Sequence, residues 1–204
     1  MLNIHTLVLG DYQVNCYLIH AADSRRCAVI DPGYNAQVIL SKAEALGLTL
    51  DAILLTHGHF DHTGAVKALV AATGCSLYMS RQDWQMPLNP TNQFLFPLAQ
   101  DTFTDVSFCQ EGDTIHTAGL TLQVLATPGH TQGSVCYLCD QALFTGDTLF
   151  AGCCGRTDLP GGSAATIRES LSRLNEISEN YTVYPGHGES STLAQEKRCN
   201  PYLR

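Results

Sequence analysis

The first third of the chain alternates short apolar runs with turn signals. "NIHTLVL", "NCYLIHA" and "CAVIDPG" read as strands, and "GDYQV" between the first two reads as a turn. The period then changes. Val38, Ile39, Ala43 and Leu46 fall on one helical stripe, and Gly47 supplies a C-terminal stop. "DAILLT" returns to a strand pattern. Ala65, Val66, Leu69 and Val70 repeat at helical spacing as far as Gly74, and "CSLYM" is a further strand.

Residues 81–104 break this rhythm. "WQMPLNPTNQFLFPLAQDTF" mixes aromatics with three prolines and sustains no period, which reads as a lid over a pocket. Strand patterns return in "DTIHTAG", "LTLQVLATPG", "SVCYLCD" and "ALFTGD". A helix follows from Ser163 with Ile167, Leu171, Leu174 and Ile177 as its buried stripe. "YTVYPG" is a last strand and "STLAQEKR" a short helix. Both halves share the order of several strands, then helix and strand. The pattern predicts an α/β chain in which two mixed sheets pack face to face with helices outside.

Composition narrows the class. At 204 residues, 45% hydrophobic and 15% charged, the chain fits one domain over 1–204 with a sizeable core. A formal net charge of −8 argues against nucleic acid or an anionic membrane surface as partner. The first twenty residues lack the charged and apolar regions of a signal peptide, and the nine cysteines are odd in number and irregular in spacing. The expectation is a cytoplasmic protein acting on a small molecule.

Chemistry gathers in four loops that directly follow apolar strands: "THGHFDH", "TPGHTQGS", "FTGDTLF" and "YPGHGES". They hold five histidines and two aspartates, His57, His59, Asp61, His62, His130, Asp147 and His187. Imidazoles and carboxylates are costly to bury without partners, and a metal ion is a partner both accept. A catalytic zinc commonly takes three protein ligands and keeps one position open, so seven ligands with one bridging suit two adjacent ions. In an extended turn His57 and His59 point the same way and can grip one ion, while Asp61 and His62 open the next helix and face another. His130 and His187 each follow a Pro-Gly bend, and Asp147 has two oxygens with which to bridge. Asp31 and Thr56 are candidates to orient the ligand imidazoles. Zinc is the first choice of metal, with iron or manganese also compatible with these donors.

Other tempting residues are read as structural. His5, His20 and His116 stand alone and are expected on the surface or satisfied in the core. Cys136 and Cys139 have C-x-x-C spacing but lie within one strand, where their side chains face opposite sides. Cys153 and Cys154 follow Asp147 closely enough to line its pocket.

The order His-x-His-x-Asp-His, then Gly-His, Gly-Asp and Gly-His, resembles the metallo-β-lactamase superfamily over nearly the whole chain. The resemblance implies a four-layer αββα sandwich. It also implies one metal on His57, His59 and His130, a second on Asp61, His62 and His187, and Asp147 between them. Within the superfamily, the bridging Asp147, "GDTLFAGCCGRTDLPGG" and the tail "STLAQEKRCNPYLR" are similar to the glyoxalase II, or hydroxyacylglutathione hydrolase, branch. That branch implies a thioesterase acting on S-D-lactoylglutathione or a related acyl-thiol. A metal-bridging hydroxide would attack with Asp61 assisting, and Arg156 would bind the substrate where the family places a lysine. Asp158 and Glu189 stand where that branch has tyrosines. Two alternatives stay open. "CCGRTD" also resembles a persulfide dioxygenase, which implies one iron on His57, His130 and Asp147. A catalytically silent, metal-bound scaffold is the other.

Overall fold

The computed structural model describes residues 1–85 and 106–203. Its first sheet contains β1 (Leu2–Leu9), β2 (Val14–Ala21), β3 (Arg26–Ile30), β4 (Thr49–Leu54), β5 (Ser76–Ser80) and β6 (Val106–Cys109), in that order. The second contains β7 (Thr114–Thr117), β8 (Leu120–Ala126), β9 (Val135–Cys139), β10 (Ala142–Gly146), β13 (Thr182–Pro185) and β14 (Ser191–Thr192), in the order β14-β13-β10-β9-β8-β7. A ribbon of β11 (Leu149–Phe150) and β12 (Cys153–Cys154) stands apart. The helices are α1 (Ala36–Ala45), α2 (Phe60–Thr63), α3 (Val66–Thr73), α4 (Arg81–Trp84), α5 (Ala164–Glu176) and α6 (Leu193–Cys199).

Side-chain alternation along the strands produces the layers. On β2, Cys16 and Leu18 face one way and pack with Ile39 of α1 and Leu69 of α3. Tyr17 and Ile19 face the other way and meet Leu122, Tyr137 and Phe144 of the second sheet. The outer face of that sheet, with Leu143 and Val183, is covered by Ile167, Leu171 and Leu174 of α5 and Leu193 of α6. Three apolar interfaces between four layers make the expected αββα sandwich. A central strand buried on both faces has no polar side to show, which is why β2 reads as a near-continuous apolar run. Each fully buried Leu or Ile contributes roughly 1.5–3 kcal/mol. Cys136 joins the outer interface and Cys139 the inner one, as opposite faces of β9 require.

Three local readings change. In α1 the buried stripe is Ile39 and Ala43 with Ala36 and Leu40 beside them, while Val38 (41%) and Leu46 (37%) are exposed. Val38 is one step of about 100° away from Ile39, and Leu46 lies beyond the last turn. Residues 81–84 are a helical turn, α4, capped by the Ser80 hydroxyl, which accepts from the Asp83 N–H at 3.2 Å. The remainder of the segment read as a lid, 86–104, lies outside the described residues. β6 was not read from sequence at all; four residues are too few to display a period, and its parallel pairing with β5 defines it.

No described helix is long and apolar enough to cross a membrane.

Candidate metal centre

Strand direction brings the four loops together. β13 runs parallel to β10, and β8 and β10 are both antiparallel to β9, so β8, β10 and β13 end at one edge of their sheet. The loops at that edge carry His130, Asp147 and His187. From the facing sheet, the loop after β4 carries His57 and His59, and α2 carries Asp61 and His62. Close approach of the loops requires glycine at 186. A Cβ there would lie 2.2 Å from Asp147 Oδ1 and 2.7 Å from His62 Cε1.

All seven predicted side chains converge. The donor atoms of His57, His59 and His130 lie within 4.8 Å of one another, as do those of Asp61, His62 and His187. His130 Nε2 is 2.8 Å from His59 Nδ1. In the second trio His187 Nε2 is 3.3 Å from both His62 Nε2 and Asp61 Oδ2. Asp147 spans the two, with Oδ1 3.4 Å from His62 Nε2 and Oδ2 3.5 Å from His130 Nε2. Nitrogen ligands held tetrahedrally at zinc distances would be separated by roughly 3.3 Å, in the range seen here.

Hydrogen bonding outside the cluster fixes which ring nitrogen faces in. His130 Nδ1 donates to the Arg156 carbonyl at 2.7 Å and His187 Nδ1 to the Tyr12 carbonyl at 3.0 Å. His62 Nδ1 donates to Asp31 Oδ2 at 3.0 Å. His57 Nδ1 donates to Thr56 Oγ1 at 3.0 Å, and that hydroxyl donates to Asp31 Oδ2 at 2.7 Å. Four histidines thereby turn Nε2 toward the cluster, and Asp31 ties one histidine of each trio to a single carboxylate. Within the cluster His57 Nε2, His59 Nε2 and Asp147 Oδ1 are buried with no hydrogen-bond partner. A bare buried polar atom costs about 1–3 kcal/mol, and a cation among these donors offsets it. The donor set fits divalent metal.

The two trios differ electrostatically. Burial, then the neighbouring imidazoles, push His57 well below its ordinary value and His59 down to about 3, and burial lowers His130. In the mixed trio burial also opposes the charged imidazole, but Asp147, Asp31 and Asp61 outweigh it and hold His62 up at about 9. Burial would raise Asp61, yet His187 and His62 hold it down at about 2.

Two supporting residues escaped the sequence reading. Asp83, fully buried in α4, accepts from Gly58 N–H (2.9 Å), Thr131 Oγ1 (2.8 Å) and Gly133 N–H (2.7 Å). It therefore joins the His57–His59 turn to the loop of His130. Asn15 donates to the carbonyls of Pro185 (3.0 Å) and Gly188 (2.9 Å), on either side of His187. His5 and His20 pair with each other on the first hairpin, at 3.4 Å between their Nε2 atoms, and His116 meets Thr121.

The cluster floors a cavity of about 670 Å³. Tyr12, Phe60, Phe150, Leu159 and Pro160 form apolar walls, and Cys153 and Cys154 line it as expected. Arg156 also lines it. Its Nε and Nη2 donate to Asp158 Oδ1 and Oδ2, both at 2.7 Å.

The model of the metallo-β-lactamase superfamily matches residues 9–187, which contain all seven clustered side chains. The chain belongs to that superfamily. Among superfamily relatives, the hydroxyacylglutathione hydrolase GloC of Haemophilus influenzae is 34% identical, covering 99% of this chain and 98% of its own. The crystal structure of the BLEG-1 B3 metallo-β-lactamase superposes with a TM-score of 0.84 at 32% identity, covering 100% of this chain and 99% of that one. TTHA1623, crystallised in a di-iron-bound form, superposes at 0.83 with 36% identity, covering 98% of this chain and 100% of that one. Superfamily membership and the two trios together imply divalent metal ions.

Proposed function

We propose that the chain is a dinuclear metal-dependent hydrolase that cleaves the thioester of S-D-lactoylglutathione or a related acyl-thiol. The observation that carries this reading is the position of Asp147 between the trios, with Oδ1 beside His62 and Oδ2 between His130 (3.5 Å) and His187 (3.7 Å) in a single cavity. His57, His59 and His130 would hold one ion, and Asp61, His62 and His187 the other. GloC supports the thioester as the bond cleaved, and TTHA1623 supports a pair of ions. Zinc remains the first choice of metal.

Two adjacent ions would supply hydroxide near neutral pH and Lewis acidity toward the acyl oxygen. The chain's own groups do the rest. Asp61 sits at the cavity floor, ionised and beside His187, where it can orient the attacking hydroxide. Tyr12 and Phe60, stacked edge to face with ring centres 5.2 Å apart, shield the floor from bulk water together with Phe150. Asp31 and the Arg156 and Tyr12 carbonyls hold the ligand rings in one orientation, so that no reorganisation is needed during the reaction.

The test pairs metal quantification on protein purified without chelators with assays on S-D-lactoylglutathione and on a chromogenic β-lactam. Two ions per chain with thioester turnover above β-lactam turnover is the expected result. One iron per chain with oxygen uptake on glutathione persulfide would overturn it in favour of the dioxygenase. Metal-replete protein inert toward a broad thioester, lactone and phosphodiester panel would leave the scaffold.

A further inference from the structure

The cavity and its rim describe the substrate more closely than the metal cluster does. Of the described residues lining it, Arg156 is the only lysine or arginine. Its backbone is held in place because its carbonyl accepts from His130 Nδ1, a ring of the three-histidine trio. Its guanidinium is turned into a fork-to-fork pair with Asp158, both bonds at 2.7 Å, the geometry in which an arginine would otherwise grip a substrate carboxylate. Arg156 holds the Asp158 carboxyl down at about 2, so the pair stays doubly ionised and neutral overall at physiological pH. Apart from the cluster, the other described wall residues are Tyr12, Phe60, Phe150, Leu159, Pro160 and the thiols Cys153 and Cys154, none of them charged.

Resting on the thioesterase reading above, we propose that Asp158 is a specificity-determining residue. By occupying Arg156 it leaves no lysine or arginine among the described lining residues free to take a substrate carboxylate, and the site selects acyl-thiols whose thiol arm carries no negative charge. A glutathione arm brings two carboxylates and one ammonium. It must compete with Asp158 for the guanidinium. An uncharged thiol arm meets no such competition and lies against Tyr12, Phe150, Leu159 and Pro160. Both partners of the pair are largely exposed, with side chains 62% and 67% accessible, so the selection is modest. Exposed pairs of good geometry sit at the top of the range for surface ion pairs, which corresponds to about a fivefold effect.

Two thioesters with the same acyl group test the idea on the metal-replete full chain: S-D-lactoylglutathione and S-D-lactoyl-N-acetylcysteamine. Asp158→Asn should raise the ratio of their kcat/KM values, glutathione over N-acetylcysteamine, by about fivefold at low salt. The rise should vanish at high salt and in the double variant Asp158→Asn, Arg156→Ala. A ratio that moves less than twofold would overturn the proposal, and so would a rise that survives removal of Arg156. If neither thioester is cleaved, the thioesterase reading falls separately. Equilibrium binding of S-methylglutathione against S-methyl-N-acetylcysteamine to the metal-loaded protein then reads the same ratio and decides the selection.

Discussion

The three-histidine trio and the Asp61–His62–His187 trio share a cavity floor and the bridging Asp147, yet they treat the same side chain in opposite ways. In the first, burial and mutual repulsion keep the imidazoles neutral, with their lone pairs ready for a cation. In the second, surrounding carboxylates hold His62 protonated until a cation displaces the proton. Carboxylates among the clustered side chains, Asp147 and Asp61, together with Asp31 behind them, set the second half-site apart. Asp31 supplies a carboxylate directly to His62 but reaches His57 only through the Thr56 hydroxyl.

The largest expected effect removes what the two trios have in common. Asp147→Ala should cost more than the roughly 10–100-fold that outer partners carry, in both turnover and metal content. His59→Ala should do the same while sparing the mixed trio. Near-normal hydrolysis in either variant would break the dinuclear account.

Next comes Asp83, which braces the three-histidine trio alone. An asparagine there must turn its NH₂ toward a backbone N–H that Asp83 now accepts from, since Gly58, Thr131 and Gly133 all donate to its two oxygens. We expect a loss of about 2–3 kcal/mol and a fall in Tm of about 5–10 °C for a chain of this size. Metal affinity should fall at the three-histidine trio before the mixed one, read from the two Co²⁺ absorption bands during titration. Equal weakening of both trios would deny Asp83 its local role.

Thr56→Val severs the relay from His57 to Asp31 and leaves His62 its carboxylate. The affinity of the three-histidine trio should drop about tenfold, with the other nearly unchanged.

The last effect concerns pH in the metal-free protein. His62, raised to about 9, contributes stability that is fully present below about 6.5 and is lost as pH rises through about 9. His59, lowered to about 3, contributes stability that is present above about 6.5 and lost as pH falls toward about 3. The two trios thus oppose each other, and melting of metal-free protein should peak near neutrality. His62→Gln should flatten the alkaline limb and His59→Gln the acid limb. Exchange of these two outcomes would reverse the electrostatic assignment.

How much of this was legible in the sequence depended on whether a residue carried its own pattern. The seven clustered side chains did, because polar groups that directly follow apolar strands are conspicuous, and Asp31 and Thr56 were legible as their neighbours. Asp83 was not. It is one aspartate in an aperiodic tract, and its three donors come from residues 25 to 50 positions away. Asn15 was hidden for the same reason, acting on a loop 170 to 173 residues distant. Arg156 and Asp158 were both noticed, but the fork between them depends on side-chain rotamers that spacing does not specify. In α1 Ile39 and Ala43 face the core as their spacing implies, but the stripe turns toward Ala36 and Leu40 rather than Val38 and Leu46, a choice of face that spacing alone does not make.

The most direct test is anomalous scattering from crystals of the zinc-loaded protein, collected above and below the metal edge. The account predicts two peaks about 3.5–4 Å apart, one beside His57, His59 and His130, the other beside Asp61, His62 and His187, with Asp147 reaching both. A single peak at full loading, or two peaks too far apart for one carboxylate to span, would contradict it.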